Sequence, residues 1–195
     1  MSGPDIQFLM ATEAEYLDHL RAKITPEIIG VGPVEAAANT MHILLERPKR
    51  PDYVFLLGSA GSATLAQGEV YLASTVSYRD MDASALGFEK GRTPFVDEPA
   101  EIVLQPQFAS VPQARLSTGA DIVLTEQFAA IDADMVDMES FAVKRVCQIL
   151  DVPLVVLRGI SDGPEELKKF DDWTKLLPTV DKNLASALDM ILQQL

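Results

Sequence analysis

Features that mark several large classes of protein are scarce in this chain of 195 residues. Cys147 is the single cysteine, so no internal disulfide can form and a disulfide-stapled secreted fold is excluded. No apolar run approaches the roughly 20 residues that a membrane-spanning helix needs. The first residues, from Met1 to Asp5, lack the basic segment that begins a signal peptide. These absences predict a soluble, cytoplasmic protein that does not associate with a membrane.

Basic side chains are also in the minority. The chain has 16 Lys and Arg against 29 Asp and Glu, and its formal net charge of −13 repels polyanions. The densest basic stretch, residues 47–51, is interrupted by proline and contains no aromatic side chain, which is typical of a solvated connection. Nucleic-acid binding is therefore not expected. With 48% hydrophobic residues the chain is not a disordered acidic tail, and its length suits a single domain over residues 1–195.

Strand-like and helix-like patterns alternate along the chain. Short apolar runs predict buried strands at residues 6–11, 27–32, 53–57, 69–76 and 152–157, with shorter candidates at 120–124 and 134–137. Helical spacing of apolar residues predicts helices over about 13–23, 33–46, 139–150 and 179–192. Residues 78–112 are irregular, and long loops in compact domains are often functional. The alternation predicts an α/β fold: a three-layer αβα domain around a central mixed, largely parallel, twisted sheet.

Three carboxylic residues follow predicted strands. Ligands of α/β sheets bind at the carboxyl ends of the strands, and Glu13, Glu139 and Asp162 each lie just beyond one. Like charges that are brought together away from water oppose ionisation. At least one of these groups is therefore expected to have a raised pKa and to suit general-acid catalysis. Simpler interpretations stay open: Glu13 and Glu139 as first-turn carboxylates of helices, and Asp162 as a turn residue before Gly163.

Other kinds of active site find no support in the sequence. His19 and His42 lie on predicted helices without suitably spaced partners, so we expect no metal site and no cofactor. Neither histidine follows a strand, which argues against a serine-type triad. Cys147 lies on the apolar side of a predicted helix, where a core residue is expected in place of a nucleophile.

Six stretches, in order and spread over nearly the whole chain, can be compared with a known family. They are 11–15 (ATEAE), 30–37 (GVGPVEAA), 57–61 (LGSAG), 78–82 with 87–89 (YRDMD and GFE), 136–140 (VDMES) and 155–162 (VVLRGISD). Together they resemble the nucleoside phosphorylase/nucleosidase superfamily, and most of all the 5'-methylthioadenosine/S-adenosylhomocysteine nucleosidases. The resemblance implies the superfamily's α/β fold, a small-molecule nucleoside as substrate, and cleavage of a purine N-glycosidic bond by water without a cofactor.

The resemblance also implies roles for the residues at the strand ends. Asp162 matches the general acid that protonates purine N7, and Ser161 matches the residue that orients it. Glu13 matches the carboxylate that activates the attacking water, and Glu139 matches the one that binds the ribose hydroxyls. Further substrate-binding positions are implied at Met138, Ser59, Ala60, Gly61, Val31, Ile122 and Val123.

In the family, a segment of a partner subunit completes the pocket for the 5' substituent. Ala83, Leu86, Phe88 and Pro94 match that segment, so the resemblance implies a homodimer. Ala83 and Leu86 are smaller than the usual residues, and Ile122 replaces a phenylalanine that stacks on the purine. The smaller residues predict a wider pocket for the alkylthio group. Ile122 predicts weaker and less complementary packing on the base. The first half of the chain is also shorter than in typical members.

The choice of nucleophile separates the functional hypotheses. Superfamily phosphorylases place arginines around a phosphate, including one just before the Gly-rich loop, where this chain has Leu57. The acidic Glu13 in the first loop would repel phosphate, which favours a hydrolase. The alternatives are a phosphate-dependent nucleoside phosphorylase and a nucleoside-binding module without catalysis.

Overall fold

The computed structural model describes residues 3–163 and 173–195, in which strands alternate with helices. The strands are β1 (Ile6–Met10), β2 (Glu27–Ile28), β3 (Tyr53–Gly61), β4 (Val70–Tyr78), β5 (Glu101–Val103), β6 (Gln113–Thr118), β7 (Met135–Asp137) and β8 (Leu154–Asp162). The α-helices are α1 (Asp18–Arg21), α2 (Pro33–Glu46), α3 (Ser140–Leu150) and α4 (Leu177–Leu192). Short 3₁₀ turns occupy Glu13–Glu15, Ser84–Leu86 and Thr125–Ala130. Within the described ranges, no helix has both the length and the apolar character that crossing a membrane requires.

Helix α2 begins and ends where the sequence predicts. Gly32, just before the helix, adopts a φ of +92°, which side chains rarely tolerate, and Pro33 supplies a preset φ at the first helical position. Ala36, Thr40 and Leu44 are four residues apart and buried. One face of α2 therefore packs on the sheet while the opposite face meets solvent.

The strands form one mixed sheet in which most neighbouring pairs are parallel. Strand β3 is parallel to β1 on one side and to β8 on the other, with β2 outside β1. Strand β6 is parallel to both β4 and β7, and β5 is antiparallel to β4 at the edge. Two antiparallel pairs, β4–β8 and β3–β7, join the groups. These joins close β3, β8, β4, β6 and β7 into a barrel-like ring.

This closure changes the predicted architecture. The α/β class and the mixed, largely parallel sheet are confirmed, but the three-layer αβα description is not, because part of the sheet closes into a ring. Layers persist locally around β3. Val54 and Leu56 share a core with α2 and α3, whereas Phe55 and Leu57 share one with α4. Successive strand residues point to opposite faces, so β3 is buried on both sides, as its uninterrupted apolar run predicts.

The segment after β1 differs from the predicted helix over residues 13–23. It forms the 3₁₀ turn and then the separate helix α1. The carboxylate of Asp181 in α4 accepts hydrogen bonds from the backbone N–H groups of Leu17, His19 and Leu20. A new helix starts there because this distant side chain caps its free N–H groups.

Strand prediction is wrong in two other places. Residues 120–124 form no strand, and β5 and β6 appear where no strand was predicted. Strand β6 has the sequence QARLST, in which polar and apolar residues alternate over only five positions, too short a pattern to identify a strand. It pairs with β4 on one side and β7 on the other, so tertiary pairing decides its conformation.

The ends of three strands meet beside the last residue of β3. Gly61 pairs with Val136 of β7 and with Asp162 of β8. The register shifts between Ala60 and Gly61, which bulges β3 at this point. The residues that follow β7 and β8 are thereby brought together.

Candidate active site

Asp162 ends β8 and lies against the end of β3. Ser161 Oγ donates a hydrogen bond of 2.6 Å to Asp162 Oδ1 and so orients the carboxyl group. A Cβ atom on Gly61 would lie 2.6 Å from Asp162 Oδ2, so only glycine leaves room for this group. Burial raises the pKa of Asp162 above its ordinary value, although the bond from Ser161 acts in the opposite direction. Asp162 therefore keeps its proton to a higher pH than an exposed aspartate.

Glu139 lies two residues after the end of β7 and is 5% exposed. Its Oε1 atom accepts a hydrogen bond of 3.0 Å from the backbone N–H of Gly32, at the start of α2. Burial, and after it the charge of Asp137, raises the pKa of Glu139 to about 7. This carboxyl group is therefore close to half-ionised at neutral pH.

A fully buried arginine connects the carboxylates. Arg158 on β8 donates from Nη2 to Asp137 Oδ2 at 2.6 Å, and the same nitrogen lies 3.6 Å from Glu139 Oε2. Asp137 accepts further bonds from Thr118 Oγ1 and from the N–H and hydroxyl groups of Ser140. Burial by itself lowers the pKa of the Arg158 guanidinium, but the neighbouring carboxylates, Asp137 first, raise it above its ordinary value. Arg158 is therefore a permanent positive charge inside the site.

The structure separates Glu13 from this cluster. Thr12 caps the 3₁₀ turn, and the Glu13 side chain is 68% exposed and pairs with Arg21 at 3.3 Å. Glu15, two residues later, is 7% exposed. Three residues complete one turn of a 3₁₀ helix, so residues two apart face different sides. Glu15, and not Glu13, is the carboxylate that this turn brings to the strand ends.

The end of β3 holds Glu15 in place. Glu15 Oε1 accepts hydrogen bonds from Ser59 N at 2.8 Å and from Ser59 Oγ at 2.5 Å. No donor within residues 3–163 and 173–195 reaches the buried Oε2 atom. Glu15 Oε2 and Arg158 Nη1 both lie against Gly58, where an added Cβ would be 3.0 and 2.3 Å from them. One oxygen of Glu15 is thus fixed, and the other lies beside the arginine that also contacts Asp137 and Glu139.

Comparisons with known proteins match the chain to one family. The sequence profile of the phosphorylase superfamily matches residues 22–193. The 5'-methylthioadenosine/S-adenosylhomocysteine nucleosidase of Haemophilus influenzae (strain PittEE) is 32% identical over 181 residues, which cover 83% of this chain and 78% of that protein. The chain belongs to the phosphorylase superfamily. The resemblance seen in the six sequence stretches is thereby confirmed.

Solved structures of superfamily proteins share the fold. The 5'-methylthioadenosine/S-adenosylhomocysteine nucleosidase from Colwellia psychrerythraea 34H, in complex with adenine, matches with a TM-score of 0.81 and 25% identity over 100% of this chain and 96% of that chain. Futalosine hydrolase from Helicobacter pylori strain 26695 also matches with a TM-score of 0.81, at 20% identity over 97% of this chain and 99% of that chain. The second likeness concerns the fold alone. Since differently named proteins fit equally well, the fold does not select the substrate.

Several other predicted substrate-binding residues of this superfamily member lie at the same strand ends. Ser59 and Ala60 are among the last three residues of β3. Ser59 bonds to Glu15, and the backbone oxygen of Ala60 accepts a hydrogen bond from Ser161, which precedes Asp162. Met138 is half-buried next to Glu139, and Val31 is 53% exposed just before α2. The structure therefore gathers residues from four separate sequence stretches around the carboxylates.

Ile122 and Val123 lie on the loop between β6 and β7. Ile122 is 63% exposed, whereas Val123 is buried. The residues predicted to meet a partner subunit occupy a different loop, between β4 and β5. They are Ala83, Leu86, Phe88 and Pro94. Leu86 is 79% exposed, and the ring of Phe88 contacts that of Phe95, which is 96% exposed.

Four residues near the strand ends were missed from the sequence: Glu15, Asp137, Arg158 and Trp173. Arg158 carries the clearest signal, because a charged residue inside a buried strand requires a partner, and Asp137 is that partner. Trp173 Nε1 donates to Ser59 Oγ at 3.1 Å, a contact without any sequence signal. Among the described residues, no three His, Cys, Asp or Glu side chains are arranged to hold a metal ion.

Proposed function

We propose that the protein hydrolyses the N-glycosidic bond of an adenine nucleoside of the 5'-methylthioadenosine and S-adenosylhomocysteine class. The observation that carries this proposal is the pair of carboxyl groups at the end of β3: the half-buried Asp162, with a raised pKa, and the buried Glu15, held by Ser59. An acid and a base on two sides of one bond are what glycoside hydrolysis requires. Superfamily membership and the name of the Haemophilus relative support the substrate class.

The proposed reaction assigns the two carboxyl groups to opposite steps. As the bond between ribose C1' and purine N9 breaks, its electron pair moves to the base and leaves an oxocarbenium-like ribose. Asp162 donates its proton to purine N7, so the base departs as a neutral molecule. Water attacks C1' and gives a proton to Glu15. The products are the free base and the 5-substituted ribose.

Glu15 takes the role that the sequence suggested for Glu13. Ser59 fixes one carboxylate oxygen of Glu15 through two hydrogen bonds, which leaves the buried Oε2 atom as an acceptor for water. A fixed carboxylate loses little freedom when water binds, and such positioning favours general-base catalysis. Glu13 pairs with Arg21 at the surface and has no comparable position.

Glu139 is proposed to bind the ribose 2'- and 3'-hydroxyl groups, with Met138 packed against the sugar. A carboxylate can accept from two hydroxyls at once. The bond from Gly32 N–H fixes Oε1, and the proximity of Arg158 to Oε2 favours the ionised form that accepts both hydroxyls.

The charges of the site favour water over phosphate. Glu15, Asp137 and Glu139 surround one buried guanidinium, Arg158, which already bonds to Asp137. A phosphate dianion would therefore enter a region of net negative charge and be repelled. A phosphate-dependent phosphorylase is the second candidate, because it would use the same Asp162 and Glu139.

A homodimer is also proposed. Leu86 and Phe95 expose 79% and 96% of their surface in the loop between β4 and β5, and neighbouring exposed apolar side chains mark interaction surfaces. In a dimer this loop, with Ala83, Phe88 and Pro94, would complete the 5' pocket of the partner.

A substrate panel tests the reaction. Base release from 5'-methylthioadenosine, S-adenosylhomocysteine, adenosine, inosine and futalosine is followed in phosphate-free buffer and with added phosphate. We expect release without phosphate, fastest for the first two, and no ribose 1-phosphate. Release only with phosphate would establish a phosphorylase, and binding without release would establish a nucleoside-binding module.

A matched pair of variants tests the base assignment. Glu15→Gln removes the proposed base and should lower kcat by about 10²- to 10⁴-fold. Glu13→Gln changes the same residue type in the same turn and should leave kcat unchanged, since Glu13 is a surface residue. If Glu13→Gln lost most of its kcat while Glu15→Gln stayed active, Glu13 and not Glu15 would be the general base.

A further inference from the structure

The loop between β6 and β7 has few packing contacts to hold it. Among residues 120–124, Val123 alone is buried. A cavity of about 740 Å³ lies between residues 121–132 of this loop and residues 77–80 and 89–91 on the other side. The position of the loop therefore depends on specific polar contacts more than on the hydrophobic core.

Arg79, just after β4, makes several of these contacts. Its Nη1 atom donates to the backbone oxygens of Ser117 and Asp137 at 2.8 and 2.9 Å. Its Nη2 atom donates to the backbone oxygen of Asp121 at 2.7 Å and to that residue's carboxylate at 3.1 Å. One planar guanidinium thus joins the end of β6, the end of β7 and the loop.

Asp80 and Gly119 complete the contact. Asp80 Oδ2 accepts a hydrogen bond of 2.6 Å from the backbone N–H of Ala120. A Cβ atom on Gly119 would lie 2.5 Å from Arg79 Cζ and 2.5 Å from Asp80 Oδ1. The glycine therefore lets both side chains lie directly on the backbone of the loop.

We propose that Arg79 and Asp80 are positioning residues that set the base selectivity of the active site, an inference that rests on the proposed nucleosidase function. Asp137 immediately precedes Met138 and Glu139, which are proposed to hold the ribose. Asp121 immediately precedes Ile122, which is proposed to meet the base. Because Arg79 bonds to the carbonyl groups of both Asp137 and Asp121, it fixes the spacing between the sugar-binding and base-binding segments.

This spacing matters because purine bases differ in the polar groups of one edge. A 6-amino purine presents a donor at C6 and an acceptor at N1, and a 6-oxo purine presents the reverse. In the proposed arrangement, backbone groups of the loop bond to this edge of the base, and they distinguish the two patterns only when donor and acceptor are aligned. A displacement of about 1 Å can cost roughly 10²-fold in rate. A loosened loop should therefore lose selectivity before the protein loses its fold.

The test compares adenosine with inosine in wild-type protein and variants. Arg79→Met should lower the ratio of kcat/KM for the two nucleosides by about tenfold or more, mainly through a higher KM for adenosine. Asp80→Ala loosens the loop while leaving Arg79 in place, and should change the ratio in the same direction. Arg79→Lys keeps the charge but replaces the planar guanidinium with a single nitrogen. Its selectivity ratio should therefore be low, like that of Arg79→Met.

Arg47→Met is the matched control. Arg47 donates hydrogen bonds to Gln7 and to both carboxylate oxygens of Asp5, and neither partner belongs to the loop between β6 and β7. It should lower the melting temperature about as much as Arg79→Met does and leave the selectivity ratio unchanged. A ratio that falls equally in both variants would show a general loss of stability and overturn the inference.

The remaining outcomes separate the inference from the proposed function. If wild-type protein releases no base from any nucleoside, the proposed function fails. If wild-type protein releases adenine, the function stands, and three results would refute the positioning role. They are a selectivity ratio near one in wild type, a ratio that is unchanged in Arg79→Met and Asp80→Ala, and a wild-type ratio in Arg79→Lys.

Discussion

Burial raises the pKa of two carboxyl groups in the site. At Asp162 burial raises the pKa, and the hydrogen bond from Ser161 acts against this rise without cancelling it. Glu139 is buried beside both Arg158 and Asp137, and its pKa rises to about 7. Asp137 bonds directly to Arg158 through its Oδ2 atom. Burial therefore raises the pKa of both Asp162 and Glu139, and the charge of Arg158 limits the rise at Glu139.

The raised pKa of Glu139 predicts a pH-dependent cost in stability. The folded protein holds this proton more tightly than the unfolded chain, so wild type loses stability as pH rises from about 4.5 to about 7. Glu139→Gln mimics the protonated form at every pH. At pH near 4 the free energy of unfolding of this variant should match that of wild type. At pH near 8 it should be higher by about 3 kcal/mol, since one pKa unit is about 1.4 kcal/mol, and the variant should unfold at a higher urea concentration.

Glu13→Gln serves as the control for this measurement. Glu13 is exposed, so its substitution should not change the difference in the free energy of unfolding between pH near 4 and pH near 8.

Glu139→Gln should also lose affinity for nucleosides, because an amide offers one acceptor oxygen to the ribose hydroxyls where a carboxylate offers two. A variant that is less stable than wild type at the higher pH would show that Arg158 compensates fully for the burial of this charge.

Individual site residues could be predicted from the sequence to different degrees. Glu139 and Asp162 lie two and five residues beyond predicted strands, and this placement identified both as candidates. Glu15 could not be distinguished from Glu13 in this way, because both lie in one short turn and its conformation decides which faces inward. That conformation depends on Ser59 and on Asp181, which is 166 positions away from Glu15 in the chain.

At the scale of elements, α4 connects the two halves of the site. Val180 packs on Gly159 of β8, where an added Cβ would lie 2.4 Å from Val180 Cγ1. The next residue, Asp181, accepts three backbone hydrogen bonds from the segment that follows Glu15. One helix thus sets the distance between the strand of Arg158 and the turn of Glu15.

Asp181→Ala tests this connection. The loss of its carboxylate leaves three backbone N–H groups without their acceptor and should destabilise the fold by about 2 kcal/mol or more. At a temperature where the variant stays folded, kcat should still fall because the turn that carries Glu15 is loosened, whereas KM should change little. Urea unfolding and steady-state kinetics measure the two effects.

Asp189→Ala is the matched control on the same helix. Asp189 pairs with Lys23 at 2.7 Å, but both side chains are partly exposed, so its loss should cost less than about 1 kcal/mol. Its kcat should equal that of wild type. An Asp181→Ala variant with wild-type kcat would mean that Ser59 alone holds Glu15.

The elements also show where local sequence stops deciding structure. Strand β3 and helices α2 and α3 carry strong periodic patterns and form as predicted. Strands β5 and β6 have weak patterns and form because β4 and β7 pair with them. The closure of the ring rests on the antiparallel pairs β3–β7 and β4–β8. Pairing between strands so far apart in sequence leaves no local signal, so the closure of the ring could not be predicted from the sequence.

At the scale of the whole molecule, net charge constrains how two copies can associate. Each copy has a formal charge of −13, so association must rely on apolar surface or on a locally basic segment. Residues 83–95 offer both, because they expose Leu86 and Phe95 and contain two basic side chains, Lys90 and Arg92, against one acidic side chain, Glu89. This loop is therefore well suited to contact the acidic body of a second copy.

Leu86→Asp tests whether this loop forms the dimer and the pocket. The added charge would face an acidic partner without water, so sedimentation should show a dimer for wild type and a monomer for the variant. If the loop completes the partner's 5' pocket, KM for 5'-methylthioadenosine should rise in the monomer much more than KM for adenosine, which lacks the alkylthio group.

Ile149→Asp is the control, since Ile149 is 63% exposed on α3, outside this loop. A wild-type monomer with full activity, or a Leu86→Asp dimer with unchanged KM values, would contradict the shared pocket.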